Sequence, residues 1–168
     1  MFDIVGKAWA FMFGTLIIFL GTLTLFAQKQ DTMVQNYVNS SVNEFVDVSR
    51  ATGTITRSQY EEFIQKLDNT KNTYNIQIEH YKEKTAPTEN EYDYQVYYDT
   101  HTREEILNAL YDKTTDYRYK MSNGDFLRVT VENSNPTLGR KLLGIMTGRP
   151  TSAGGQIYSS TGGYIGND

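Results

Sequence analysis

The chain has 168 residues, a formal net charge of −4 and no cysteine. An acidic balance without a dense basic patch argues against nucleic acid as a partner, and the absence of cysteine rules out disulfides. The length allows one domain with its own hydrophobic core beside any apolar segment.

An apolar segment of twenty residues without a charged side chain, residues 8–27, stands near the N-terminus. As a helix it is roughly 30 Å long, enough to cross the hydrocarbon core of a bilayer. Trp9 and Lys29 suit the two interfaces. A cleaved signal peptide is the alternative, but its apolar core usually has about 7–15 residues, and Leu25 stands where cleavage needs a small side chain. We predict a single-pass helix in the cell membrane, with residues 1–7 inside and the C-terminal domain outside.

Small side chains recur on one side of this predicted helix and define a small-residue face. It consists of Ala10, Gly14, Gly21 and Thr24. Such a stripe lets membrane helices approach each other closely, so we predict a face for helix association. The alternative is that these residues reflect the ordinary composition of membrane helices.

The helix is expected to continue through residues 28–52, because no glycine or proline follows the apolar segment until Gly53. Apolar residues recur here at steps of three and four, which is typical of an amphipathic helix. This apolar stripe comprises Val34, Val38, Val42, Phe45 and Val48. Either the protein's own head or a neighbouring subunit must cover it.

The first half of the head is predicted to hold one helix and two strands. Thr56 and Gln59 have the spacing of a capping box ahead of a helical apolar pattern. Alternating residues 74–81 predict a half-buried strand. A long connection over residues 82–91 should lead to another strand, residues 92–98.

The second half begins with Thr102 and Glu105, a second capping-box spacing ahead of a short helix. Alternation on both sides of Asn123-Gly124 predicts a β-hairpin. A weak amphipathic helix is expected after Asn135-Pro136, and the Gly- and Ser-rich tail from Gly148 holds only two short strand candidates.

These elements predict an α+β protein. Its long N-terminal transmembrane helix continues into an amphipathic helix, packed on a small antiparallel sheet with short helices. The expected regions are a cytoplasmic N-terminus (1–7), a transmembrane helix (8–27), an amphipathic extension (28–52) and an extracellular head (53–168).

The chemistry needed for catalysis is missing from the sequence. His80 and His101 lack partners at metal-ligand spacing and are expected to be surface or capping residues. No phosphate-binding loop, nucleophile elbow or calcium loop occurs. We therefore predict no enzymatic activity, no cofactor and no metal.

Tyrosine is concentrated in the middle of the head, where it could form a partner surface or simply cover a sheet. The candidate partner surface comprises Tyr92, Tyr94, Tyr97 and Tyr98.

Three short motifs stand in order between Gln35 and Tyr81: Phe45-Val46-Asp47-Val48 within the amphipathic extension, then Gly53-Thr54-Ile55-Thr56, then Tyr74-Asn75-Ile76. Gly124-Asp125-Phe126 opens a later strand, and a Gly- and Ser-rich stretch follows. This order resembles the type IV pilins and pseudopilins, especially the TadE-like minor pseudopilins and related single-span proteins of Gram-positive bacteria.

The resemblance implies a structural subunit of a pilus, secretion or conjugation apparatus, whose partners are the membrane and other pilin-like subunits, including copies of itself. One feature departs from the family, whose prepilins are cut after a glycine and usually carry glutamate at the fifth position that follows. Phenylalanine stands there after each early glycine, at Phe11, Phe19 and Phe26. A non-polymerising or uncleaved relative would tolerate this loss. The alternative function is a bitopic surface-binding or scaffold module that forms no filament.

Overall fold

The computed structural model describes residues 2–87, 94–149 and 157–166. It has the α+β class that the sequence predicts, with a long N-terminal apolar helix and a small antiparallel sheet. In chain order the elements are α1 (Phe2–Thr52), β1 (Thr54–Thr56), α2 (Arg57–Asp68), β2 (Tyr74–Pro87), β3 (Tyr94–His101), α3 (Arg103–Tyr111), β4 (Arg118–Lys120), β5 (Phe126–Asn133), α4 (Leu138–Thr147) and β6 (Tyr158–Tyr164).

Helix α1 runs without interruption through the apolar segment and the amphipathic extension. It ends where Gly53 takes φ = +62°, a left-handed conformation that favours glycine and commonly terminates helices. At about 1.5 Å per residue, α1 is roughly 75 Å long. The N-terminal half of this helix projects from the head, and the C-terminal half forms part of the head's core.

A four-stranded antiparallel sheet, in the order β3-β2-β5-β6, forms the centre of the head. Side chains on one face of β5 (Leu127, Val129 and Val131) are fully buried, and those between them are exposed or only partly buried. This alternation is typical of a sheet with one face on a core and one face in water. The covered face packs against α1, which contacts both β5 and β6.

Helix α2 closes the other side of α1. The side chain of Thr56 accepts a hydrogen bond from the Gln59 N–H, and the Gln59 side chain accepts one from the Thr56 N–H, which confirms the predicted capping box. The amphipathic α2 then places Phe63 on Phe45 of α1, with stacked rings whose centroids are 4.6 Å apart. The core therefore lies between α2, the middle of α1 and the sheet.

The predicted hairpin across Asn123-Gly124 is wrong, although both of its strands exist. β4 pairs with β1 in a separate two-stranded sheet, and β5 pairs with β2 and β6. The Met121 N–H donates to the carbonyl of Gly53, which fixes β4 beside the end of α1. A tight turn is present, since the Asp125 N–H donates to the Ser122 carbonyl, but it leads from one sheet to the other.

Three further expectations are corrected. β2 continues to Pro87, so most of the predicted connection is strand paired with β3. The two short strand candidates of the tail lie in or beside one strand, β6, which pairs along β5. The predicted capping box of α3 is absent: Thr102 makes no side-chain cap, and Glu105 lies 2.7 Å from Nδ1 of His101.

Candidate membrane and partner surfaces

Large apolar side chains are exposed around the N-terminal half of α1. Trp9 is 56% exposed, Ile18 72% and Phe26 69%. Within the described part of the chain, this is the one helix long and apolar enough to cross a membrane. Its length and apolar character fit a membrane anchor or a signal sequence. The four members of the small-residue face lie along this half of the helix.

The small-residue face is open at one end and covered at the other. Ala10 is exposed, and a Cβ placed on Gly14 or Gly21 would meet no neighbouring atom within 4 Å. Thr24 is different, because its Oγ1 lies 2.8 Å from Sδ of Met146 on α4. Ala10, Gly14 and Gly21 are therefore open to another helix, and Thr24 is not.

Helix α4 is held against α1 by a buried carboxylate. The Thr137 hydroxyl and the Gly139 N–H both donate to Oδ2 of Asp31, over 2.6 Å and 3.1 Å, and Asp31 is only 8% exposed. The negative charge lies at the N-terminus of α4, where the helix dipole favours it. Gly139 permits this approach, because a Cβ there would lie 2.5 Å from the same oxygen. No local sequence pattern indicates this contact, because it joins residues more than a hundred positions apart.

The apolar stripe of the amphipathic extension is covered mainly by the protein's own head. Val38, Val42 and Phe45 are at most 5% exposed and belong to the core, and Val34 packs against its edge. Val48 departs from the prediction, since it is 41% exposed, while Val46 is fully buried. Val48 lies about 100° around the helix from the buried Ser49, which places it at the edge of the covered side of α1.

The tyrosines of the candidate partner surface lie on β3, an edge strand of the sheet. Tyr94, Tyr97 and Tyr98 are 67%, 47% and 50% exposed, and Tyr92 lies outside the described residues. Successive side chains of a strand point to opposite faces, so Tyr94 and Tyr98 share one face and Tyr97 lies on the other. The structure therefore does not gather the three into one patch.

His80 is a buried residue, contrary to the expectation of a surface or capping role. It is 2% exposed, its Nε2 lies 2.9 Å from Oδ2 of Asp125, and its Nδ1 lies 2.8 Å from the Tyr119 hydroxyl. Its position on the same face of β2 as the buried Ile78 was a signal for burial. Asp125 also accepts the Ser122 N–H and the Glu83 N–H.

The electrostatics of this cluster favour a neutral imidazole. Burial lowers the pKa of His80, and the hydrogen bond to Asp125 opposes part of that effect. Burial also raises the pKa of Tyr119 to about 12, so the phenol keeps its proton. Tyr119 then donates to Nδ1, and Nε2–H of His80 donates to Asp125. The cluster ties β2, β4 and the start of β5 together.

No group of three or more His, Asp or Glu side chains that could hold a metal ion occurs among the described residues. His101 is partly exposed, and its ring stacks on His80 with centroids 5.6 Å apart. The prominent surfaces are thus the apolar half of α1, helix α4 beside it and the edge strand β3. Comparison of the chain with models of protein families, with curated proteins and with solved structures gives no match.

Proposed function

We propose that this protein is a membrane-anchored structural subunit, pseudopilin-like in architecture, of a pilus, secretion or conjugation apparatus. Its N-terminus lies inside the cell and its head outside. The observation that carries the proposal is the continuity of α1, which joins a lipid-compatible half to a half buried in the head. A helix of this kind holds a folded domain at a fixed place on a membrane.

The distribution of exposed apolar area supports a membrane location. Each Å² of apolar surface removed from water contributes about 25 cal/mol, and exposed phenylalanine, isoleucine and leucine side chains surround the first half of α1. The described chain offers no second element that covers them. A bilayer covers all sides of such a helix at once.

The packing of the other half limits where subunits can meet. The apolar stripe is largely occupied by the protein's own head, so it is not a free interface. Close helix contact in lipid instead requires small side chains, and Ala10 and Gly14 lie on the open part of the small-residue face. We propose that neighbouring subunits associate there.

Cysteine crosslinking of the full chain in its membrane tests the proposal. The natural chain has no cysteine, so Ala10→Cys and Gly14→Cys each introduce a single thiol. With an added oxidant, both variants should form disulfide-linked dimers of this chain at low protein-to-lipid ratios. The matched control is Phe19→Cys, which lies on the opposite side of the helix and should not. Equal crosslinking at all three positions would indicate random collision and would contradict lateral assembly.

The alternative, a bitopic surface-binding or scaffold module, is favoured by one specific observation. Helix α4 already covers Thr24, so part of the small-residue face serves contacts within the chain. If the protein resists alkaline extraction from membranes but none of the thiols crosslinks, this alternative replaces the structural subunit. In that case we expect exposed side chains of the head, such as Tyr94 and Tyr98, to contact the partner.

A further inference from the structure

Helix α4 exposes large apolar side chains beside the end of the apolar segment. These side chains are about half exposed or more, and Ile145 is 78% exposed; they are Leu138, Leu143, Ile145 and Met146. We propose that α4 lies in the headgroup region of the membrane that α1 crosses. A bilayer containing anionic phospholipid then covers its exposed apolar side chains. This inference rests on the membrane location proposed above.

The position of α4 along α1 is the first argument. Its N-terminus is fixed at Asp31, and Gly139 lies against the backbone of Ala27. From there the helix runs back toward the apolar segment, until Sδ of Met146 reaches Oγ1 of Thr24. Thr24 and Ala27 belong to the last turn of a segment about 30 Å long, the thickness of the hydrocarbon core. The C-terminal half of α4 therefore lies at the depth where α1 leaves the hydrocarbon.

The shared level of exposed apolar side chains on α1 and α4 is the second argument. Leu25 and Phe26 of α1 are 68% and 69% exposed at the same level as α4. The exposed side chains of α4 lie at this same level, so both helices present apolar surface there. One bilayer covers both parts.

Charge is the third argument. Arg140, Lys141 and Arg149 lie in or directly after α4, Lys29 lies on the adjacent turn of α1, and residues 133–167 contain no acidic side chain. The nearest carboxylate, Asp31, is already buried at the N-terminus of α4. A short amphipathic helix with a basic flank binds anionic membrane surfaces through apolar burial and electrostatic attraction. A second copy of α4 would instead bring like charges together.

Nitroxide depth measurements on the full chain test the inference. Single thiols are introduced by Ile145→Cys, Phe19→Cys and Lys113→Cys, labelled and reconstituted in phosphatidylcholine vesicles with a minor fraction of phosphatidylglycerol. Collision with oxygen reports lipid, and collision with a soluble nickel complex reports water. Lys113 is exposed shortly before β4, which pairs beyond the far end of α1, so it is the water reference. We expect the Ile145 label to favour oxygen, at a shallower depth than the Phe19 label.

The three labels separate failure of the inference from failure of the proposed function. A Phe19 label in water would show that α1 does not cross the membrane and would overturn both. A Phe19 label in lipid with an Ile145 label in water would overturn the inference alone. Spin–spin broadening at Ile145 would show a second copy on α4 and would overturn it too. Adding Lys141→Glu and Arg149→Glu should move the Ile145 label toward water in the anionic vesicles but not in pure phosphatidylcholine. An equal response in both lipids would refute the electrostatic part.

Discussion

The two halves of α1 are one helix in two environments. Phe19, in the apolar half, is 61% exposed, whereas Phe45, in the head half, is 5% exposed and stacks on Phe63. The apolar half is hydrophobic on all sides, and the head half is hydrophobic mainly along the side that contacts the sheet and α2. The width of the apolar surface around a helix, more than its length, therefore indicates what the helix packs against.

The largest expected effect on stability comes from replacing a phenylalanine by alanine in each half of α1. Phe45→Ala should lower the free energy of unfolding of the head by about 3–5 kcal/mol, because it removes a buried ring and leaves a cavity. Phe19→Ala, the matched control, should change it by less than about 0.5 kcal/mol. Urea unfolding of the full chain in mild detergent, followed by near-UV circular dichroism of the tyrosines, measures both. Equal losses would show that the two halves are not packed differently.

A second, smaller effect concerns the junction between the halves. Asp31→Ala removes the acceptor for the Thr137 hydroxyl and the Gly139 N–H, at a cost of about 1–3 kcal/mol for buried donors left unpaired. We expect this loss to be local, with faster amide hydrogen exchange over residues 138–147 and unchanged exchange in β5. Asp47→Ala is the control, because the Asp47 side chain is 66% exposed. If α4 keeps its protection without Asp31, the carboxylate does not hold it.

The smallest expected effect is a pH dependence confined to the head. In the unfolded chain His80 binds a proton near its ordinary pKa of 6.5, and burial lowers that pKa in the folded chain. Between the two values the unfolded state binds more protons, so stability should fall as pH is lowered from about 7.5 to about 5.5. The lowered pKa values of Asp99 and Asp112 lie below 3.8 and outside this window.

Urea midpoints at the two pH values measure this dependence. The His80→Gln variant should show a lower midpoint at both values, and a smaller difference between them. It retains His101, which controls for the remaining histidine. A variant with an undiminished difference would show that another group is responsible.

Local sequence patterns were sufficient for the elements whose partners are near in the chain. The continuous α1 follows from the absence of glycine and proline before Gly53, and the capping box follows from Thr56 and Gln59. The predicted hairpin was wrong because the pairing partner of β4 is far away in the chain. The turn signal at Asn123-Gly124 is real, but β4 finds its hydrogen-bond partners on β1, about 65 residues away in the chain. A turn signal fixes a reversal of the chain and leaves the pairing partner open.

The candidate surfaces also fall into features that a local sequence pattern predicts and features that depend on distant contacts. Composition was enough to identify the apolar segment, and helical periodicity identified most of the stripe that became core. The small-residue face, which was inferred from its spacing, stays a prediction. The contact of Asp31 with Gly139 could not be predicted from either end, because a lone acidic residue and a lone glycine have no local pattern. The burial of His80 could have been predicted from the sequence, because His80 lies on the same face of β2 as Ile76 and Ile78.

The unbroken passage of α1 from the apolar segment into the core gives the head a mechanical property. Thr52 lies 25 residues beyond Ala27, a lever arm of roughly 37 Å at about 1.5 Å per residue. Membrane helices tilt by about 20° on average, and a tilt of that size would displace the far end of the lever by about 13 Å. In the membrane location proposed above, a change in bilayer thickness, or a neighbour that pulls the helix upright, would therefore displace the far surface of the head by several ångströms.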